Sequence, residues 1–155
     1  MLRQGDEDKS VKTNSRIFVV GHNDSIENSL LEGLASRGFT QVLSNTTEKI
    51  DVLDQARTAR FFKNVRPEYV FLGSIRSGGI GANLKYPAEF IYENCVAQNN
   101  VIHNAYEYKA KKLIYFTGSC AYPKAAPQPI KEECLFQGPL EETSLAYSTD
   151  RKSVV

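Results

Sequence analysis

The sequence predicts an α/β fold, a doubly wound parallel sheet, and three observations predict it. Ile17 to Val20, Tyr69 to Leu72 and Lys112 to Phe116 are short runs rich in β-branched and aromatic residues, as strands buried on both faces require. Between them lie segments with apolar residues at helical spacing: Ile26, Leu30, Leu31 and Leu34, then Ala56, Ala59, Phe62 and Val65, then the stretch from Pro87 to about Ala110. Glycine or proline punctuates the units at Gly21, Gly38, Pro67 and Gly73. Strands alternating with helices in this way build a parallel sheet with right-handed crossovers.

Taken in order, residues 1–15 are polar and charged without apolar periodicity and read as a mobile arm. Order is expected from Arg16, with the first strand at Ile17 to Val20 and a helix ending at Arg37-Gly38. A second strand fits Gln41 to Leu43, and Ile50 to Val52 suits a third, very short one. Asp54 is placed to cap the next helix, which Pro67 stops. Gly73 to Gly81, after the strand Tyr69 to Leu72, reads as a glycine-rich loop. Pro87 then opens the longest helix, since proline suits a first turn. Its apolar residues form two stripes, Phe90, Ala97, Val101 and Ala105 against Ile91, Cys95, Ile102 and Tyr106. One stripe can face the sheet; the other needs a different partner. After Phe116 the chain is irregular, with Pro123, Pro127, Pro129 and Pro139, and a last helix begins near Tyr147. Residues 16–155 are thus one Rossmann-type domain. Ligands of such sheets bind at the carboxyl ends of the strands, here the loops after Val20, Leu72 and Phe116.

Composition narrows the function classes. The 155 residues suffice for one buried core. Nineteen basic side chains against eighteen acidic ones leave a charge of +1, no footprint for nucleic acid or an anionic membrane. No apolar run approaches the ~20 residues of a membrane span, and no signal-peptide core opens the chain. Cys95, Cys120 and Cys134 are odd in number and irregularly spaced, which suits a reducing compartment better than disulfides and offers no zinc site. A cytoplasmic protein with no metal is expected.

Four stretches carry a more specific signal: Ile17 to His22, GGIGANLKYPAEFIYEN at 78–94, SCAYPK at 119–124 and QPIKEECLFQGPLEET at 128–143. Together they resemble the GDP-L-fucose synthase family, the GDP-4-keto-6-deoxymannose epimerase/reductases of the extended short-chain dehydrogenases, from Arg16 to about Arg151. The resemblance implies epimerisation of a keto-sugar nucleotide followed by reduction with NADPH. It implies a glycine-rich pyrophosphate loop, a Ser-Tyr-Lys hydride-transfer set, a Cys/His pair for proton traffic and a C-terminal domain that grips the nucleotide sugar. That last domain is expected to be absent, making the chain a truncated and degenerate member with a nucleotide or nucleotide sugar as its possible ligand.

Carried over residue by residue, the family's G-x-x-G-x-x-G pattern reads Gly21-His22-Asn23-Asp24-Ser25-Ile26-Glu27. Only the first glycine stands, and carboxylates hold the other two positions. Asp24 with Glu27 three residues later forms a capping-box pattern, and both would oppose an anion at the helix N-terminus meant to attract it. The candidate cofactor-binding residues are Gly21, His22, Asn23, Gly73 and Ser74, with Asp51 at the family position near the adenine, equally a turn residue. Among catalytic candidates, Tyr147 matches the family tyrosine, and Arg151 stands where the family has lysine, an exchange that alters reach and donor geometry. Gly118 occupies the serine position with Ser119 beside it, and Cys120 matches the family cysteine, equally a small buried hydrophobe. The family histidine has no counterpart.

These substitutions favour a family protein that does not carry the full reaction alone and acts as a binding or assembly protein. The alternative is an active NADP-dependent epimerase/reductase with an atypical cofactor loop or a partner chain completing its site. The family pairs its long helix into a four-helix bundle between two subunits, so a homodimer, or docking of a partner chain, is expected through the helix Pro87 to Ala110.

Overall fold

The structure, a computed structural model, describes residues 11–22 and 25–153. Strands β1 (Ile17–Val20), β2 (Val42–Ser44), β3 (Tyr69–Leu72) and β4 (Lys112–Tyr115) form one parallel sheet in the order β2-β1-β3-β4. Helices α1 (Ser25–Ser36), α2 (Gln55–Val65), α3 (Ile80–Lys85), α4 (Pro87–Glu107) and α5 (Leu145–Lys152) surround it. The chain leaves β1 for β2 on one side and later returns to place β3 on the other. That reversal opens a crevice between the carboxyl ends of β1 and β3, where ligands of doubly wound sheets sit.

All four residues of β1 are buried. Phe18 and Val20 pack with Phe62 of α2 and with Ala97 and Val101 of α4 in one core. Phe18 meets Phe61 and Phe62 at ring-centroid distances of 4.4 and 5.7 Å. Helix α2 begins as its sequence predicts, with Asp54 accepting the Arg57 amide at 3.0 Å, and it ends on left-handed Arg66 just before Pro67. Of the two stripes on α4, Phe90, Ala97, Val101 and Ala105 are buried, whereas Ile91 and Tyr106 are exposed and Cys95 and Ile102 half-buried.

Several boundaries differ from the sequence reading for identifiable reasons. Strand β2 runs one residue later, because Ser44 still pairs with Val19. Ile50 to Val52 is a turn, not a strand: Asp51 accepts the Leu53 amide at 3.0 Å through its side chain and the Asp54 amide at 3.2 Å through its carbonyl. Val52 is nonetheless core, and its carbonyl accepts from Asn100 at 2.9 Å. The tail of the expected glycine-rich loop winds into α3, where the Gly79 carbonyl takes the Ala82 and Asn83 amides. Helix α4 stops at Glu107 rather than near Ala110, since Lys109 turns left-handed (φ 52–60° is rare for side-chain-bearing residues; here 60°) and Ala110 bonds back to Ala105. Residues 12–15 form a turn with Ser15 buried, and Thr13 accepts the Thr40 amide at 3.0 Å. The rest of the expected arm, 1–10, lies outside the described residues.

Among the described residues no helix is long and apolar enough to cross a membrane, and no cluster of metal-ligating side chains forms. The three cysteines are free thiols. Phe62 joins α2 to the sheet at zero exposure, so Phe62→Ala is expected to lower unfolding free energy by about 3–5 kcal/mol. Ile91→Ala, at a site 36% exposed, should cost less than about half as much. Urea unfolding of the two variants against the parent checks this.

Candidate functional site

The crevice encloses about 200 Å³ and is lined by Gly21, Glu27, Ser74, Ser77, Gly118 and Tyr147, with Val19, Val20 and Phe116 as apolar wall. Its floor depends on Gly73, whose amide donates to the Val20 carbonyl at 2.8 Å. A Cβ at Gly73 would lie 3.1 Å from that carbonyl oxygen, so a side chain there would press the ends of β1 and β3 apart. Gly21 is clamped from the end of β2, where Asn45 accepts its amide at 2.8 Å and donates to its carbonyl at 2.9 Å.

Glu27 is the buried residue of α1, at 2% exposure, although Ile26 of the same turn is 50% exposed. Thr46, just after β2, donates its hydroxyl to one Glu27 carboxylate oxygen. The other oxygen packs over Gly21, 2.9 Å from where a Cβ there would stand. A carboxylate is therefore held in the first turn of α1, against the loop after β1. This is the place at which a doubly wound fold receives an anion, because the first-turn amides and the helix dipole favour negative charge. Asn23 and Asp24 lie outside the described residues, so the expected cap at Asp24 and the expected ligand role of Asn23 do too.

Of the other cofactor candidates, His22 bridges to the β3 loop, donating from Nδ1 to the Ser74 carbonyl at 3.1 Å and pairing Nε2 with the Ser77 hydroxyl at 2.9 Å. Asp51 is exposed and spends its carboxylate on the Leu53 turn, away from the crevice. Ser74 does reach the crevice, but its hydroxyl bonds the Tyr147 hydroxyl at 2.9 Å.

Tyr147 sits on α5, its ring edge-on to Phe90 at 6.1 Å. Burial pushes its phenol above the ordinary value, while the Ser74 bond and the Arg151 charge pull the other way. Arg151, one turn on, is 1% exposed and paired with Asp150, itself fully buried. Its guanidinium also donates to Gln98 at 3.3 Å and to the Ser74 hydroxyl at 3.5 Å, and lies 4.9 and 5.5 Å from the Tyr115 and Tyr147 ring centroids. Arg151 thus touches the face of the Tyr147 ring and reaches its hydroxyl only by way of Ser74. Lys152 points elsewhere, onto Phe136.

Around Gly118 the arrangement is different. A Cβ there would lie 3.1 Å from the Cys120 sulfur and 3.8 Å from Tyr147 Cε1, so position 118 faces the tyrosine but presents no hydroxyl. Cys120 is half-buried, and burial pushes its thiol up. Ser119 is exposed in the short 3-10 turn Ser119–Ala121. Neither residue lines the crevice.

The sequence reading missed the polar residues that set this geometry. Asn94 accepts the Ile75 and Arg76 amides at 2.9 Å each and donates to Asp150 at 3.0 Å. Gln98 takes the Tyr115 hydroxyl at 2.9 Å and donates to Ser153 at 2.7 Å. The signal was present: Asn94 and Gln98 are four residues apart on the face shared by Phe90, Ala97 and Val101, where amides must find buried partners. Asn45, Thr46 and Asp150 gave no comparable pattern.

The sequence model described as the NAD dependent epimerase/dehydratase family matches residues 12–151. Putative GDP-L-fucose synthase 2 of Arabidopsis thaliana is 41% identical over 138 residues, 89% of this chain and 42% of the relative. GDP-L-fucose synthase of Escherichia coli K12 is 37% identical, over 86% of this chain and 41% of the relative. Among solved structures, MlghC, a GDP-mannoheptose C4 reductase from Campylobacter jejuni with NADP bound, is similar at a TM-score of 0.86 and 40% identity, covering 93% of this chain and 46% of that one. The chain therefore spans about 42% of the length of the first curated relative.

Asp150 generates a pH prediction. Burial raises its carboxyl from 3.8 to about 6, against the pull of Arg151 and Asn94. A carboxyl raised in the folded state binds more protons there than in the unfolded chain, so its contribution is full below about pH 4 and is lost as pH rises to about 6. Asp150→Asn removes that dependence and adds a pH-independent loss from its altered hydrogen bonding to Arg151 and Asn94. Urea unfolding between pH 4 and pH 7 should show the stability gap between parent and variant narrowing as pH rises through about 6, then staying flat.

Proposed function

The chain belongs to the NAD-dependent epimerase/dehydratase family, and from that premise we propose that it is a GDP-sugar epimerase/reductase relative whose dinucleotide crevice is closed by its own carboxylate. On this reading it acts as a binding or assembly protein of the cytoplasm and does not carry the full reaction alone. The observation that supports it is Glu27, buried in the first turn of α1 against Gly21 and held by Thr46.

Glu27 supplies the helix N-terminus with an internal anion. A pyrophosphate brought to the same groove meets like charge at close range, worth about 4 kcal/mol at ~4 Å and an effective dielectric near 20. That is roughly a thousandfold in affinity, enough to move a micromolar site to millimolar. The NADP seen in MlghC therefore does not fit the residues present here. Gly118 and Arg151, where the hydride-transfer set has serine and lysine, support the same reading, because such groups act as a unit.

The unpartnered side of α4 favours a second copy of the chain as partner. Leu84, Ile91 and Leu145 line a groove of about 470 Å³ between α3, α4 and α5, and they are 61%, 36% and 52% exposed. An apolar face of this kind, set against its own copy, closes as a twofold dimer.

Two measurements test these proposals. Calorimetric titration with NADPH is expected to give binding no tighter than about millimolar for the parent, and a gain on the order of 100- to 1000-fold for Asp24→Gly/Glu27→Gly. Micromolar binding by the parent would favour the alternative, an active enzyme with an atypical cofactor loop. Light scattering after size exclusion should give twice 17.4 kDa for the parent and 17.4 kDa for Leu84→Glu/Ile91→Glu; a monodisperse parent monomer counts against the dimer.

A further inference from the structure

We propose that Ser74 replaces the hydroxyl missing at Gly118 and relays the charge of Arg151 to Tyr147, so that the tyrosine presents its phenolic proton to a ligand oxygen in the crevice. The geometry is specific. Gly118 faces Tyr147 across 3.8 Å from its Cβ position, and the Cys120 sulfur crowds that position at 3.1 Å. The hydroxyl that Tyr147 does meet comes from the end of β3 instead, Ser74 at 2.9 Å.

Donor chemistry fixes the first link of the relay. A guanidinium has no acceptor, so in the 3.5 Å contact Arg151 Nη1 donates and the Ser74 oxygen accepts. The proposed relay places the Ser74 proton on the Tyr147 oxygen across their 2.9 Å contact, in which either hydroxyl can donate. The phenolic proton, freed from that pair, points into the crevice that both residues line. Arg151 is kept from swinging to the phenol itself by Asp150 and Gln98. A lysine one turn from the tyrosine would act directly; arginine, planar and anchored at both ends, acts through a hydroxyl. Ser74 and Arg151 are therefore positioning residues for Tyr147, and the ligand group they favour is a carbonyl or hydroxyl oxygen.

The groups facing Tyr147 are Ser74 from the β3 loop, Cys120 from the turn after β4, and Asp150 and Arg151 from its own helix. Tyrosine labelled with carbon-13 at Cζ, with the Tyr147 resonance assigned by its loss in Tyr147→Phe, reports both the hydrogen bond at neutral pH and the phenol ionisation. Ser74→Ala is expected to shift the Tyr147 resonance at pH 7 and to move its ionisation to higher pH, since a donor to the phenolate is lost. Ser74→Thr, which keeps the hydroxyl, should leave both at the parent position. A Tyr147 resonance and ionisation unchanged in Ser74→Ala would overturn the proposal, as would a Ser74→Thr variant that behaves like Ser74→Ala while unfolding at the parent's urea midpoint. The experiment uses no dinucleotide, so its failure is separate from failure of the closed-crevice reading.

Discussion

Asn94 is the residue on which the arrangement of the site depends. Its side-chain oxygen accepts two consecutive amides of the β3 loop, and its nitrogen donates to the carbonyls of Phe90 and Arg76 and to the carboxylate of Asp150. One buried amide, 1% exposed, thereby joins the loop carrying Ser74, the long helix α4 and the helix carrying Tyr147. An unpaired polar group at such depth would cost about 1–3 kcal/mol, so the network holds only if every member is present. Gln98, a turn further along α4, adds the bonds to Tyr115, Arg151 and Ser153. The short α5 is thus fixed by buried polar contacts more than by apolar area, and the 2.9 Å contact between Ser74 and Tyr147 is a consequence of that fixation.

The two halves of the crevice differ in what they retain. The side formed by Tyr147, Ser74 and Arg151 keeps hydroxyl donors backed by a cation. The side formed by Gly21 and α1 holds a carboxylate where the fold otherwise receives phosphate. Glu27 lies in the first turn of its own helix, where a carboxylate gains from the helix dipole, and on the proposed reading the same residue opposes a dinucleotide. A family architecture with local loss of one ligand half is the physical content of the proposed function.

Much of the fold was legible because its signals are local. β-Branched runs, helical spacing and the stops at Gly38 and Pro67 carry enough information to place three of four strands and the principal helices. Ile50 to Val52 misled because burial and strand pairing give the same apolar signature; only the Asp51 turn separates them. At the site, residues of the resembled motifs were findable, and Tyr147, Ser74 and Gly21 do meet at one crevice. What the sequence did not reveal is direction. Glu27 as a helix cap and Glu27 folded back over Gly21 have the same spacing, and the choice is made by Thr46, nineteen positions away. Asp150 was invisible for a similar reason: its partner Arg151 is its chain neighbour, and neighbours on a helix ordinarily diverge. Only burial of both side chains against Asn94 and Gln98 brings them together.

The central claim is that the anion place at the start of α1 is already filled by Glu27. Amide NMR of the parent protein titrated with inorganic pyrophosphate tests it most directly, because the probe carries the phosphate chemistry without adenine or nicotinamide. The account predicts that the amide resonances of Gly21 and of position 27 stay unmoved at millimolar pyrophosphate in the parent and respond saturably in Glu27→Gly. Saturable shifts of Gly21 and Glu27 in the parent, at concentrations where the variant responds no more strongly, would contradict it.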